Sequence, residues 1–147
     1  MKKEPKFTWD AEKGQVVCEL SDGQNKFIGA AYCHPDDFDM KNEMTGCEIA
    51  SRRAFIKYLK FQKKMLKERL GALNQLYHNM IRSKHFNENS YENKMLQSQI
   101  HLINSDLATI KEMVADEEQR LKEYINLKDN FYKTIRKNRK SRQANSN

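Results

Sequence analysis

The sequence predicts an α+β fold: a small N-terminal antiparallel β-meander, then a long antiparallel two-helix hairpin that dimerises as a helical bundle. Five Gly and two Pro in 147 residues are too few for a loop-rich all-β protein. Strand-like segments lie in the first third, and heptad spacing of apolar residues runs through the remainder. We assign residues 1–44 to the meander and an acidic linker, 45–139 to the hairpin, and 140–147 to a basic, polar tail.

Three short segments in the first third are predicted strands. Lys6–Asp10 is aromatic, Gln15–Ser21 contains adjacent valines, and Lys26–Cys33 is apolar with small residues. Between the second and third segments, Asp22 and Gly23 form a dipeptide typical of a hairpin turn. These segments and the turn between them predict a three-stranded antiparallel meander. Because so small a sheet cannot bury a core alone, we expect it to pack against another element.

Capping signals mark the start of the first predicted helix. Thr45 and Glu48 have the spacing of a capping box, and Met44 and Ile49 are placed as a hydrophobic staple. The helix is therefore expected to run from about Thr45 to about His85.

The second predicted helix follows a short connection rich in amide side chains. Asn89, with Glu92 three residues later, gives its start signal, and the helix is expected to continue to about Arg139. Phe86 precedes this start and Asn93 follows it. An aromatic ring beside several amides suits stacking on a base and hydrogen bonding to its edge, but it is also typical of an ordinary helix turn with an N-cap.

Apolar residues occupy two seam positions of a heptad repeat in both helices, which predicts an antiparallel hairpin. In the first helix these residues are Ile49, Ile56, Leu59, Leu66, Leu70, Leu73, Tyr77 and Met80. In the second they are Leu96, Ile100, Ile103, Leu107, Ile110, Val114, Leu121, Tyr124, Phe131 and Ile135. Four charged residues interrupt the seams: Arg52, Lys63, Glu117 and Lys128.

Further apolar residues lie off the seams and indicate a second buried face. They are Phe55, Phe61, Met65, Leu76, Ile81, Met95, Leu102 and Met113. A single hairpin would leave this face in water, at a cost of about 1.5–3 kcal/mol for each large side chain. We therefore expect a homodimer that forms a four-helix bundle.

Charge and composition exclude several classes of protein. The net charge of +7 is divided into −3 over residues 1–47 and +10 over residues 48–147, so partners that carry phosphate are favoured. No apolar run approaches the roughly 18–20 residues of a membrane span, and the N-terminus lacks the apolar segment of a signal peptide. Three cysteines without a CxxC pair fit a reducing compartment. We predict a cytoplasmic protein with no membrane partner.

A basic run covers the first part of the first helix. Its cations are Arg52, Arg53, Lys57, Lys60, Lys63, Lys64, Lys67 and Arg69, against the single acid Glu68. The run is either a solvated helix face or a surface that attracts phosphates. Arg52 differs from the others because it occupies a seam position, where a cation must reach solvent, pair with an acid, or meet a ligand. Near the chain's end, Arg136–Arg142 carries five cations, which suit either a frayed helix end or a nucleic-acid arm.

No catalytic arrangement is present in the sequence. It contains neither a GxSxG nucleophile motif nor a glycine-rich phosphate loop, so we predict a protein that is not an enzyme and that has no cofactor. The sequence His34-Pro35-Asp36-Asp37, followed by Asp39, is similar to the zinc-binding motif of deacetylases that act on N-acetylglucosamine conjugates. That fold is much larger and needs a further His, so we predict no metal site.

Two stretches carry a resemblance to a known family. They are residues 27–37 (FIGAAYCHPDD) and residues 45–59 (TGCEIASRRAFIKYL). Both resemble the first family of phage-encoded Thoeris anti-defence proteins, as does the layout of a short β-meander before two long helices. The resemblance implies a sponge, which sequesters cyclic ADP-ribose-type signals of the bacterial host's defence without cleaving them.

The resemblance also implies a dimer, or a higher assembly of dimers, with ligand sites between protomers. Such sites use arginines for the phosphates, and an aromatic residue and an asparagine at or after the hairpin tip for the base. The matching candidates here are Arg52 or Arg53 and Phe86 with Asn93. Their neighbours Lys57 and Asn89 complete the set of six residues that we predict to bind the ligand. The family also implies second sites for cyclic oligonucleotides.

Three functions remain open from the sequence. The first is sequestration of a cyclic nucleotide immune signal, which would block activation of the defence effector. The second is nucleic-acid binding by a small basic protein, and the third is a structural coiled-coil adaptor. Salt separates the first two, because binding to many phosphates collapses as salt rises whereas a small ligand held by two or three contacts loses less affinity.

Overall fold

The computed structural model describes residues 4–33 and 43–145. Three strands come first, β1 (Lys6–Asp10), β2 (Gln15–Ser21) and β3 (Lys26–Tyr32). Two long helices follow, α1 (Glu43–Ile81) and α2 (Tyr91–Asn145). The strands form one antiparallel sheet in the order β1-β2-β3. The predicted α+β fold, a β-meander before a helical hairpin, is confirmed.

The two strand turns depend on glycines with positive φ. Gly14, before β2, has a φ of 61°, and Gly23, between β2 and β3, has a φ of 101°. The Asp22 carboxylate accepts hydrogen bonds from the backbone N–H groups of Gln24 (2.9 Å) and Asn25 (2.6 Å), and these bonds lower its pKa. The hairpin turn expected at Asp22 and Gly23 is therefore formed by backbone geometry and by a side-chain acceptor together.

One face of the sheet packs on the start of α1. The buried cluster consists of Val16, Cys18, Ala31, Ala50 and Ala54, with Leu20, Cys47 and Ile49 partly buried around it. Burial, and to a lesser extent the nearby Cys47 thiol, raises the pKa of the Cys18 thiol, which is therefore neutral at physiological pH. None of the three cysteines forms a disulfide with another residue that the structure describes.

The contact between β3 and α1 is close because small residues face each other. A Cβ atom at Gly29 would overlap the carbonyl oxygen of Ala50 and the backbone nitrogen of Ala54. Further along α1, the ring of Tyr58 lies edge-on to that of Phe27 in β3, with 5.4 Å between their centroids. The strand can approach the helix backbone to this extent only because residue 29 has no side chain.

The described residues divide into two compact units. One comprises the sheet, α1 as far as Tyr58, and α2 from Asp116 onward; we call it the sheet unit. The other comprises residues 59–115, which include the turn between the helices; we call it the tip unit.

The heptad seams are confirmed within these units. The predicted seam residues are buried or half-buried in both helices except Phe131, which is 57 % exposed. The most buried members in the tip unit are Leu59, Leu96, Ile103, Leu107 and Val114. Most of the predicted off-seam residues are exposed, although Phe55 and Phe61 are half-buried.

Neither helix has, in the described residues, a stretch with the length and hydropathy that a membrane crossing requires.

Both ends of the first helix differ by a few residues from their expected positions. In the described residues the helix begins at Glu43, two residues before its expected start, so Thr45 lies inside its first turn. Met44 is 81 % exposed, so it does not form the expected staple with Ile49. At the other end the helix finishes at Ile81, before the predicted His85.

The second helix differs from its prediction at both ends. The Ser90 hydroxyl accepts a hydrogen bond from the N–H of Asn93 at 3.2 Å, so Ser90 is the N-cap instead of Asn89. The helix continues to Asn145, six residues beyond the predicted Arg139. Lysine and arginine are good helix formers, so the basic sequence does not stop the helix where the seam pattern ends.

We predict opposite effects of one substitution at two glycines. Gly29→Ala forces a Cβ into the backbone of α1 and should lower the free energy of unfolding by about 3 kcal/mol. Gly71→Ala is the control, because nothing lies within 4 Å of the added Cβ and Ala favours a helix interior by about 0.5–1 kcal/mol. Urea denaturation followed by far-UV circular dichroism measures the free energy of unfolding of both variants. Destabilisation by Gly71→Ala would contradict the placement of Gly71 in a helix interior with open space around it.

Candidate functional site

Arg52, the first seam interruption, is held by two carboxylates and a ring. Its Nε atom donates to Oε1 of Glu48 at 2.7 Å, and its Nη1 atom lies 3.7 Å from Oε2 of Glu117. Its guanidinium carbon is 5.8 Å from the centre of the Tyr124 ring, a cation–π distance. Of the three outcomes expected for a cation in the seam, the structure shows pairing with an acid.

Glu117 is the complementary interruption in the seam of α2. Its side chain is only 20 % exposed, and besides Arg52 it lies 3.8 Å from Nη1 of Arg120. A half-buried carboxylate loses solvation and needs a cation close by. Arg52 and Glu117, two of the four charged residues that interrupt the seams, therefore pair with each other across the seam of the sheet unit.

Arg53 and Lys57 extend from α1 to the edge strand β3. Nη1 of Arg53 donates to the carbonyl oxygen of Ala30, and Nζ of Lys57 donates to that of Ile28, each at 2.6 Å. Arginine has five N–H donors and lysine has three, so each side chain uses one donor on the fold and keeps others. These cations secure the helix to the sheet and retain the capacity to bind an anion.

A cleft lies in the same unit, between the sheet, the start of α1 and the last part of α2. It encloses about 190 Å³. Thirteen residues line it: Trp9, Gly14, Val16, Ala31, Tyr32, Cys33, Thr45, Gly46, Ile49, Ile125, Lys128, Asp129 and Tyr132. Three of them are large aromatic residues and two are charged, so the cleft combines flat apolar surface with a cation and a carboxylate.

Tyr124 connects the cleft to the arginine cluster. Nζ of Lys128, which lines the cleft, lies 5.6 Å from the centre of the Tyr124 ring. Arg52 lies at a similar distance from the centre of that same ring. The ring of Tyr124 is therefore close to both Lys128, which lines the cleft, and Arg52, which is one of the predicted phosphate ligands.

The size and lining of the cleft define what it can hold. Sites that enclose a whole drug-sized ligand have volumes of roughly 300–1,000 Å³. A cleft of about 190 Å³ is large enough for one flat ring system, with the remainder of the ligand outside. The hydroxyl of Tyr32, at its rim, accepts a hydrogen bond from Nε2 of Gln15 at 3.2 Å, which orients that ring.

The predicted base-binding residues lie in the tip unit. Asn93 is 2 % exposed, and its Nδ2 atom donates to the carbonyl oxygen of Glu88 at 2.8 Å. Asn89 is exposed, with its backbone N–H donating to Oδ1 of Asn87 at 3.0 Å, and Phe86 is half-buried. The Asn93 amide therefore stabilises the turn, which is the ordinary role that the sequence left open for this segment.

The six predicted ligand residues thus fall into two sets. Arg52, Arg53 and Lys57 belong to the sheet unit, whereas the three tip residues belong to the other unit. That both sets serve one ligand stays a prediction. The motif at residues 34–37 and Asp39 lie outside the described residues. Among residues 4–33 and 43–145, no group of three or more His, Cys, Asp or Glu is arranged to hold a metal ion.

Sequence reasoning missed the cleft because its lining residues come from separate segments and form no motif. Trp9 counted only as a strand residue, and Tyr132 lay outside the seams. The available signal was Lys128, a charged residue at a seam position four residues after Tyr124. A charged side chain in a seam needs either a partner or an opening filled with solvent. Lys128 has both, because it lies over the Tyr124 ring and lines the cleft.

Comparison of the chain with protein families, with curated proteins and with solved structures finds no match.

We predict that Arg52 and Glu117 are energetically coupled. Arg52→Met and Glu117→Gln should each lower the free energy of unfolding, and the double variant should lose less than the sum by about 1 kcal/mol. Denaturant unfolding of the four proteins in this cycle gives the coupling. Strictly additive losses would show that the two side chains do not act on each other.

Proposed function

We propose that this chain is a non-enzymatic phage anti-defence protein of the host bacterial cytosol, which sequesters a cyclic nucleotide immune signal of the cyclic ADP-ribose type. The aromatic-lined cleft beside Lys128 carries the proposal, because it provides a place for one nucleobase in the unit that also holds the predicted phosphate ligands. The resemblance of residues 27–37 and 45–59 to the Thoeris anti-defence family supports the same function.

The cleft offers the two kinds of contact that a base requires. Trp9, Tyr32 and Tyr132 provide aromatic surface, and stacking of a base on such a ring contributes about 1–3 kcal/mol. Lys128 can donate to ring nitrogen and carbonyl acceptors, and Asp129 can accept from an exocyclic amine. Apolar contact gives affinity, and the two charged groups distinguish one base edge from another.

The phosphates of such a signal need charged donors outside the cleft. Arg53 and Lys57 fill this role in our proposal, since each keeps free donors after its contact with β3. Arg52 is already shared between two carboxylates, so its contribution is to hold Tyr124 and the start of α1 in place. Binding of this kind removes the signal from the defence effector by occupancy alone and needs no bond cleavage.

A cleft variant and its neighbour test the proposal. Tyr132→Ala removes a ring that lines the cleft and should weaken binding of a cyclic ADP-ribose-type ligand at least tenfold, about 1.4 kcal/mol. Phe131→Ala is the matched control, because the adjacent ring is 57 % exposed and does not line the cleft. Trp9 is the single tryptophan, so its fluorescence reports occupancy directly.

The identity and fate of the ligand come from a second readout on the same proteins. Each is purified from cells that make such signals and then heated, and the released small molecules are analysed by mass spectrometry. The wild type and Phe131→Ala should release an intact cyclic nucleotide, and Tyr132→Ala should release much less. A linear product would indicate an enzyme. No nucleotide from any variant would leave nucleic-acid binding and the structural adaptor as the remaining functions.

The predicted phosphate and tip residues are tested beside the cleft. Arg53→Ala should weaken binding at least tenfold, with Arg53→Lys as a control that keeps the charge and the contact to β3. Phe86→Ala distinguishes two locations of the base. If Phe86→Ala abolishes binding while Tyr132→Ala leaves it intact, the base lies at the tip instead of in the cleft.

We further propose a homodimer, or an assembly of dimers, because the tip unit exposes much apolar surface. Its off-seam residues Met65, Leu76, Met95, Leu102 and Met113 are 41–61 % exposed. Burial of such side chains stabilises by about 1.5–3 kcal/mol each. Light scattering at micromolar concentration should give at least twice the chain mass of 17.4 kDa, and Leu102→Lys should reduce it. A wild-type mass of one chain would contradict this.

A further inference from the structure

The last turns of α2 carry a dense positive charge that the small-ligand site does not use. Between residues 133 and 142 the cations are Lys133, Arg136, Lys137, Arg139, Lys140 and Arg142, and no acidic residue follows Asp129. Residues 111–129 of the same helix are different, with six acids and four cations. The charge is therefore segregated along one helix, whereas a helix face that serves only solubility normally mixes both signs.

Helical geometry places four of these cations on one stripe. At 3.6 residues per turn, Lys133, Arg136, Lys137 and Lys140 fall within an arc of about 100°. Together with Ser141 they line one shallow groove on the helix surface. The stripe is about 10 Å long from first to last residue, at about 1.5 Å per residue.

Nothing in the described part of the chain neutralises the lysines of this stripe. Lys133, Lys137 and Lys140 are exposed, and none of them forms an ion pair with another residue among 4–33 and 43–145. Arg136 is half-buried, and its Nε atom donates to the carbonyl oxygen of Tyr132 at 3.4 Å. Four adjacent like charges repel one another, and an anionic partner removes that repulsion.

The composition of the segment selects the class of anionic partner. After Ile135 the only apolar residue of α2 is Ala144, so the segment has no face that could enter a lipid headgroup layer. Its one aliphatic side chain, Ile135, is half-buried, so the exposed surface of the segment lacks the aromatic or aliphatic anchor that protein interfaces use at their centres. A polar, cationic helix of about 10–12 Å diameter matches the major groove of B-form DNA, which is about 12 Å wide.

We propose that residues 133–142 of α2 bind double-stranded DNA through its phosphate backbone, without reading the base sequence. The surface is separate from the cleft, since none of its cations lines that site. The stripe of four cations would neutralise about four phosphates. The logarithm of the binding constant should then fall with the logarithm of salt concentration with a slope of about −3.6, or about a hundredfold between 50 and 200 mM salt.

The test uses the full chain and a fluorescently labelled duplex of arbitrary sequence, with anisotropy as the readout. One variant combines Lys133→Gln, Lys137→Gln and Lys140→Gln. Its control combines Lys64→Gln, Lys67→Gln and Arg69→Gln, which removes three equally exposed charges from α1 and leaves the same net charge. Glutamine keeps the helix propensity of the replaced residues.

We expect the α2 variant to bind duplex DNA at least tenfold more weakly, with a salt slope shallower by about 2 to 3. The control variant should lose less than threefold. Equal losses would show that net charge alone causes the binding, and no binding by the wild type would overturn the proposal. A wild type that binds vesicles with anionic headgroups but not DNA would also overturn it.

The same variants separate this surface from the sequestration site. The α2 variant, and a chain truncated after Arg136, should keep the fluorescence response of Trp9 to the small ligand. Tyr132→Ala should keep duplex binding. Loss of both activities in the α2 variant would show that the basic stripe belongs to the small-ligand site, which would overturn the proposal of a separate DNA surface.

Discussion

The ion pair between Arg52 and Glu117 is the constraint on which the sheet unit depends. Each residue interrupts a mainly apolar seam, and the two charges pair across it. A polar pair in a seam specifies register, because any other alignment of the two helices would leave a half-buried charge against hydrocarbon. That register in turn positions Tyr124 and, beside its ring, Lys128, which lines the cleft.

A second constraint sets the distance between β3 and α1. The absence of a side chain at Gly29 lets β3 approach the backbone of α1, where Ala50 and Ala54 are equally small. Arg53 and Lys57 then reach the carbonyl oxygens of β3. Small residues set the distance between β3 and α1, and the long side chains of Arg53 and Lys57 hold β3 against the helix by hydrogen bonds. The basic run on α1 is therefore partly structural, although its unused donors remain available to an anion.

The sequence predicted the elements better than their ends. Strand-forming residues located β1 and β2 to the residue, and heptads identified the seams, because residue preference and apolar spacing are local features of the sequence. The cap of α2 was misplaced by one residue, since Asn89 and Ser90 are both good caps and only the bond to Asn93 decides between them. The cleft was not predictable, because Trp9, Lys128 and Tyr132 meet only through tertiary packing.

The sheet unit is assembled from both ends of the described chain, and this affects how it is made. During synthesis the meander and α1 emerge first, while the residues from Asp116 onward that complete the unit arrive last. The helices on either side of the turn are close in sequence and close a short loop at low entropic cost, so the tip unit can form early. A chain still on the ribosome therefore lacks the α2 side of the cleft, and the cleft is complete only when Tyr132 of α2 has been translated and has packed against the sheet.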